Sequence, residues 1–436
     1  MFARSASCDV TPKDRPIRLA GYAARTEPVS TVLDPIEISA VLLECGGRRC
    51  LIFSFDLMIV GAELQDMMVA RLAKHGFRPG EFMLLASHTH FAPATDQACA
   101  RLGLPDQPFV SEVAAAAEGL VLQMLREPAS EIRLEMSQGR LDHSINRRRH
   151  WRFPTFGRTY GLRFTSVVMA PNPQGPTDER ATVLLLRRAD DAQVIGAIWH
   201  YTCHPTAVIP DNVVSSDYPG VVRRALRERF GEIPCVFAQG FCGDIRPNMR
   251  RATPSAGFRD RLRRMVRTAM SGPSFAAPAA GEWTRWSEDL AAKVVAIAQA
   301  PSGKISSPAM LATGSASIPL GGFFKGLAPD KPLAVQVVML GDVLELVVLS
   351  AEATVEWQAI IDREIPVRNG RIRLYAGYLG ALFGYLPTAV QIPEGGYEVE
   401  GFQRLFGLSG KFDSEKIMSC VMDGVKQAFE DLERAD

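Results

Sequence analysis

Two short clusters hold four of the seven histidines of this chain, His88-Thr-His90 and His200-Tyr-Thr-Cys-His204. Imidazole nitrogen is a good zinc ligand, and residues two apart on an extended segment project to the same side. A single pair carries little weight, because a hydrogen-bonded core histidine looks the same in sequence. Two pairs in a histidine-poor chain of 436 residues point to a bound metal. Catalytic zinc usually takes three or four protein ligands, one of them often a carboxylate, and keeps a position open to water or substrate. Glu352 follows the apolar run 343–350 and is a candidate for that carboxylate. The pattern equally allows it as an acid at the start of the helix that follows.

Strand ends must carry these residues. Apolar runs at 38–45 and 49–58 flank Gly46-Gly47 and predict a hairpin. Leu64, Met67, Met68 and Leu72 mark one face of a helix over 61–75, which stops at Gly76. The run Phe82–Ala86 leads into His88, and the run 194–199 leads into His200 and His204. A helix is expected from Tyr218-Pro219 through VVRRALRERF, and a strand at 234–238 ends in QGFCGDIRPN. LRFTSVVMA and ATVLLLRR, joined by PNPQGPTDE, read as another hairpin. Residues 250–300 read as a helical subregion, and PLGG with FKGLAPDKP reads as a lid-like excursion or a plain surface loop. Strands at 333–340 and 343–350 share a Gly-Asp turn, a helix covers 354–363, and the glycine-rich stretch 377–407 is mostly loop around a strand or two. Ile417, Val421, Val425, Phe429 and Leu432 mark a terminal amphipathic helix docked by its apolar face. Such an order predicts an α/β protein with a layered mixed sheet and a site built from loops at strand ends. Strand order itself is not readable at this level.

Basic and acidic side chains nearly cancel, 49 against 48, which gives no long-range attraction to nucleic acid or an anionic membrane. The Arg147–Arg149 run with His150 and the basic helix at 259–267 read as solvated surface charge, with contact to anionic ligands as the alternative. No stretch approaches about 18 uninterrupted apolar residues, so stable membrane insertion is not expected. The eight cysteines form no CxxC pair, and the amino terminus has no secretory apolar run; both point to a cytoplasmic protein with reduced thiols.

Taken in order, SCDVTP, LAGYA, FSFDLMIV, ASHTHFAP, CHPTAV with SSDYPG, FAQGFCGDIRPN, LSAEATVE, YLPTAV and GGYEVEG resemble the neutral/alkaline ceramidase family, zinc-dependent amidases that remove the fatty acyl group from ceramide. The resemblance implies a single catalytic domain over 1–436 with an α/β, mixed-sheet layered zinc-hydrolase fold; the C-terminal immunoglobulin-like domain that larger members carry is not expected in 436 residues, a departure from that family. The resemblance implies one zinc ion held by His88, His204, Glu352 and Tyr385. It places His90 beside the ion and Tyr397 at the scissile group, and it moves His200 from a ligand to a core or supporting role.

The sequence also departs from that family. Where its GD-x-SPN-like motif supplies a serine proposed as nucleophile, this chain reads Gly243-Asp244-Ile245-Arg246-Pro247-Asn248. A protonated arginine cannot attack a carbonyl, which excludes a covalent serine route at that position. Direct hydrolysis by zinc-activated water is the consistent expectation, with His90 or a nearby carboxylate moving the proton. Asp56 and Asp244 are the base candidates, and each also reads as a supporting group. Arg246 is expected either to hold an anionic substrate group or to pair with Asp244 or Asp217. The expected activity is a zinc amidohydrolase on a small or medium, soluble acyl amide. The alternatives are an esterase or lactonase, or a noncatalytic metal-stabilised binding protein. A phosphoesterase is disfavoured, because a two-metal cluster needs more carboxylates than these motifs supply.

Overall fold

The computed structural model describes residues 1–13, 15–151, 153–157, 161–163, 167–208, 212–249, 262, 265–266, 268–270, 272–275, 281–300, 304–328, 332–367 and 370–434. Two buried faces explain the apolar runs of the first half. With β1 (Phe2–Asp9) preceding them, β2 (Glu37–Cys45) and β3 (Arg48–Phe55) form the expected antiparallel hairpin. Ile38, Ala40, Leu42, Leu51, Phe53 and Phe55 enter one core while Val41, Leu43, Cys50 and Ile52 enter another. A strand buried on both sides loses its polar alternation. β4 (Phe82–Ala86) runs parallel to β3.

β5 (Ser130–Arg140) lies on the other side of β1. Next come β6 (Ser144–His150), the two-stranded ribbon β7 (Thr155–Gly157) and β8 (Gly161–Arg163), and β9 (Val167–Asn172). β10 (Arg180–Arg188), β11 (Val194–Tyr201) and β12 (Cys235–Gln239) complete the main sheet, whose order is β12-β11-β10-β5-β1-β2-β3-β4. The predicted hairpin between the strands now seen as β9 and β10 does not form. β10 pairs with β5 and β11, whereas β9 joins β6 and β13 (Ile245–Pro247) in a separate sheet.

Two further short or edge strands, β14 (Lys304–Ser306) on β5 and β15 (Leu311–Ile318), precede β16 (Phe324–Leu327). β17 (Leu333–Leu340) and β18 (Leu344–Leu349) form the second expected hairpin. β19 (Glu352–Ala353) follows, and β20 (Ile372–Ala376) completes a second sheet in the order β15-β17-β18-β20. β21 (Tyr385–Leu386) pairs with β19, and β22 (Ser409–Phe412) pairs with β16. The segment read as a lid-like or plain loop is therefore partly a strand held by a distant one.

The two sheets face each other across Val41, Ile52, Leu134, Leu184, Leu346 and Val348. Helices cover their outer faces. α1 (Ala62–Lys74) and α2 (Gln107–Arg126) pack together over the first strands. α3 (Asp217–Phe230) and α4 (Glu282–Ala298) cover the β10–β12 end through Tyr218, Val222, Trp283 and Leu290. After α5 (Glu356–Glu364), the terminal α6 (Ile417–Arg434) docks on β15, burying Ile417, Val421, Val425 and Leu432 as the periodicity predicts. Gly314 of β15 permits that approach, since a Cβ there would stand 2.0 Å from the Ala428 carbonyl oxygen.

α2 is long and apolar enough to cross a membrane by length and composition. Here it is a core helix that buries Phe109, Val113, Leu120 and Met124, while Glu118 meets Arg71 of α1 and His75 at its carboxyl cap. Of the helical subregion expected at 250–300, α4 is seen, and most of the basic stretch 259–267 lies outside the described residues.

Candidate metal centre

Each loop that builds the site follows the carboxyl end of a strand. His88 follows β4, His204 follows β11, Cys242 follows β12, Glu352 follows β18 and Tyr378 follows β20. Backbone hydrogen bonds stitch these loops together. Ala86 N donates to Tyr378 O at 3.1 Å, His90 N to Pro205 O at 3.2 Å, Gly243 N to Ala353 O at 2.9 Å and Glu352 N to Gly384 O at 2.8 Å. Gly243 is required by this crossing, because a Cβ there would lie 2.4 Å from the Glu352 carbonyl oxygen.

His88, His204 and Glu352 are almost completely buried, at 1 %, 1 % and 2 % exposure. The Nδ1 atoms of the two histidines face carbonyl oxygens, His88 that of Met58 at 2.8 Å and His204 that of Ile245 at 3.0 Å. A proton on Nδ1 serves those bonds and leaves the Nε2 lone pairs to point inward. Glu352 Oε2 lies 3.3 Å from His88 Nε2 and 3.2 Å from His204 Nε2, and His90 Nε2 lies 3.3 Å from His88 Nε2. Donors around one tetrahedral ion, with bonds of about 2.0–2.1 Å, stand about 3.3 Å apart. The ligand atoms of the three histidines all fall within 4.8 Å of one another, and His204 Nε2 is buried with no hydrogen-bond partner among the described residues. The donor set fits a metal ion.

Burial, followed by the positive charge of Arg147, pushes His204 down to about 4, so its imidazole is neutral at neutral pH. Burial, then His88 and His204, likewise hold His90 well below the usual histidine range. For Glu352 burial acts in the opposite direction, but the facing histidines outweigh it and keep the carboxylate ionised. Neutral imidazole and ionised carboxylate are the forms that bind a metal.

Pairing of β19 with β21 sets Tyr385 in register with Glu352, which brings it to the same floor. Its ring lies 5.3 Å from that of Tyr397, and the Arg147 guanidinium sits 5.4 Å from both ring centres. Arg147 Nε donates to Glu398 Oε1 at 2.8 Å, and Arg148 Nη1 donates to Glu398 Oε2 at 2.9 Å. Arg147 and Arg148 are thus buried at 4 % and 6 % exposure, which corrects their reading as solvated surface charge. His150 of the same run does remain exposed.

Tyr378 was missed by the sequence reading. Its ring stacks on His88 with centroids 4.1 Å apart, and its hydroxyl donates to Glu352 Oε2 at 3.4 Å and lies 3.0 Å from Cys242 Sγ. His88 and Tyr378 both adopt positive φ, 65° and 61°. Such backbone costs on the order of 1–3 kcal/mol at a non-glycine residue and persists where the surroundings enforce it, commonly at functional sites. A tyrosine set between Gly377 and Gly380 just after a strand end was the available signal.

The remaining candidates separate into rim and support. His90, Tyr397 and Arg246 retain accessible surface, as does Tyr22, whose ring lies 5.1 Å from that of His90. Asp56 is tied elsewhere, accepting from Arg223 at 2.7 Å and from Glu37 N at 3.0 Å. Asp244 accepts from Val355 N at 2.8 Å and Asn146 Nδ2 at 2.9 Å, which pins the chain after Glu352 to β6. Both carboxylates are thus engaged by backbone or side-chain donors away from the donor cluster. His200 contacts the Tyr375 carbonyl oxygen at 2.9 Å and is a core residue, as the resemblance implied.

No family model and no curated protein matches this sequence. Among solved structures, the chain aligns with neutral ceramidase from Pseudomonas aeruginosa at a TM-score of 0.72 and 17% identity, covering 99% of this chain and 74% of that one. It also aligns with a ceramidase complexed with C2 at a TM-score of 0.69 and 16% identity, covering 99% and 75%. The chain therefore has the mixed α/β fold of the neutral ceramidases, as its ordered motifs implied.

Proposed function

We propose that this protein is a zinc-dependent hydrolase that cleaves an acyl amide. The observation that carries the reading is the convergence of His88, His204 and Glu352 donors, spaced for one ion, beneath a partly open rim. Those three residues would hold the ion, with Tyr385 as the further ligand. Zinc bound there would polarise a carbonyl and lower the pKa of water toward about 7. His90, whose Nε2 faces the donor cluster, is placed to move a proton between the attacking water and the departing amine. Tyr397, beside Tyr385, is assigned a hydrogen bond to the oxyanion that develops on the former carbonyl. Stacking by Tyr378 and the backbone contacts to Met58 and Ile245 hold the histidine rings in place.

The structural neighbours are ceramidases, and ceramide is an N-acyl amide, which favours amide over ester as the scissile bond. Eight free cysteines support residence in a reducing compartment. The reading is tested by stripping the protein with a chelator, reloading it with zinc, and offering N-acyl anilides, p-nitrophenyl esters and aliphatic lactones. Amide hydrolysis restored by zinc is expected. Cleavage of esters or lactones alone would change the reaction class, and full activity of metal-free protein would overturn the mechanism.

A further inference from the structure

Arg246 is a cation with no carboxylate partner among the described residues. Antiparallel pairing of β13 with β6 sets Arg246 opposite Ile145, two residues before Arg147. Residues opposite each other, and those two apart along a strand, share a sheet face, so Arg246 and Arg147 are diagonal neighbours on one face. The carbonyl that precedes Arg246, that of Ile245, accepts from the His204 backbone at 3.3 Å and faces its Nδ1 at 3.0 Å, tethering Arg246 to the metal centre. One face of its guanidinium is covered by the Phe275 ring at 4.8 Å. Among the described residues no carboxylate pairs with it. Asp244 is engaged with Val355 and Asn146, and Asp217 with Ala207, Tyr218 and Trp283. Both ion pairs expected from sequence are therefore absent among the described residues.

Arg147 and Arg148 share Glu398, and Arg148 also meets Glu394. Those carboxylates are thus engaged by Arg147 and Arg148, and no ion pair from either to Arg246 is seen among the described residues. Burial and the proximity of Glu398 push the Asp244 carboxyl up to about 7, so it carries only part of a negative charge at neutral pH. An enclosed cation is costly unless a partner neutralises it. Arg246 nevertheless keeps accessible surface at the rim, and its donor edges are planar and paired. We propose that the partner arrives with the substrate: Arg246 binds a carboxylate carried by the acyl amide. This rests on the hydrolase reading above. The planar fork of one guanidinium matches the two oxygens of a carboxylate.

The test uses full-length, zinc-loaded protein and substrate twins that differ by one charge. Hippurate against N-benzoylglycinamide puts the carboxylate on the amine side, and succinanilate against butyranilide puts it on the acyl side. The expected result is a preference of at least tenfold in kcat/KM for the charged member of one pair. Arg246→Met should narrow that ratio to near one, and Arg246→Lys should leave it intermediate. Equal rates within both pairs in the wild type, or an unaltered ratio in Arg246→Met, would overturn the proposal. If no amide is cleaved, the hydrolase reading fails by itself, and calorimetric binding of hippurate and succinanilate decides the anion site. Binding by wild type that weakens at least tenfold in Arg246→Met sustains the site; equal binding, or none, removes it. Should Arg246→Met not fold, the Lys variant carries the same comparison, with an unchanged ratio or affinity counting against the site.

Discussion

Replacing Glu398 with Gln keeps the side-chain shape and removes the charge shared by two buried guanidiniums. Glu398 is 2 % exposed, and its oxygens lie 2.8 and 2.9 Å from Arg147 and Arg148. Burial opposes its ionisation, but the two arginines outweigh burial and hold the carboxyl below its usual range. Breaking a buried pair by removing one partner costs about 3–5 kcal/mol. Arg148 limits that loss by keeping Glu394 at 2.9 Å and the Gly395 carbonyl at 3.1 Å.

Asp244 adds a dependence on pH. Its folded pKa, about 7, is raised above the unfolded value, so the stability linked to its protonation is complete at low pH and is lost as pH rises through 7. Without Glu398 its pKa falls, and the variant escapes part of that loss. The cost of Glu398→Gln should therefore be about 3 kcal/mol near pH 5 and smaller at pH 8. Urea unfolding followed by fluorescence of the buried Trp199 and Trp357 reads both values. A cost below about 1 kcal/mol at pH 5 would refute the buried-pair argument, and equal costs at both pH values would refute the coupling to Asp244.

Three smaller perturbations probe the rest of the design. Tyr378→Phe keeps the ring on His88 but removes the 3.4 Å bond to Glu352; zinc affinity measured by chelator competition should fall about tenfold, and a change under about twofold would count against the support role. Gly21→Ala would place a Cβ 2.6 Å from the His90 ring at a φ of +107°. Turnover should drop at least about tenfold through displacement of His90, and unchanged kcat/KM would show that the ring position does not matter. Gly314→Ala would drive a Cβ against the backbone of α6 and should destabilise the fold by about 1–3 kcal/mol; an unfolding midpoint equal to wild type would contradict the packing of α6 on β15.

What could be read in advance follows from the range of each interaction. His88, His204 and Glu352 were candidates because each stands where an apolar strand ends, but only the family resemblance separated them from His90, His200 and a helix-start acid; β2–β3 and β17–β18 were legible because a short turn forces their pairing. β9 failed as half of a hairpin with β10 because its partners, β6 and β13, are set by the second layer of the fold, which a local pattern does not encode. Arg147 and Arg148 look like surface charge until Glu398, some 250 positions later, is brought beside them. Tyr378 resembles any aromatic packing residue; only the folded chain shows its ring on His88 and its hydroxyl on Glu352.

The direct test of the metal centre is the metal content of purified protein, measured by elemental analysis with anomalous scattering at the zinc edge, for wild type, His204→Ala and Glu352→Gln. One zinc per wild-type chain, located between His88, His204 and Glu352 and lost from both variants as they remain folded, is the predicted result. A wild-type protein that takes up no zinc, or variants that retain a full equivalent, would contradict it.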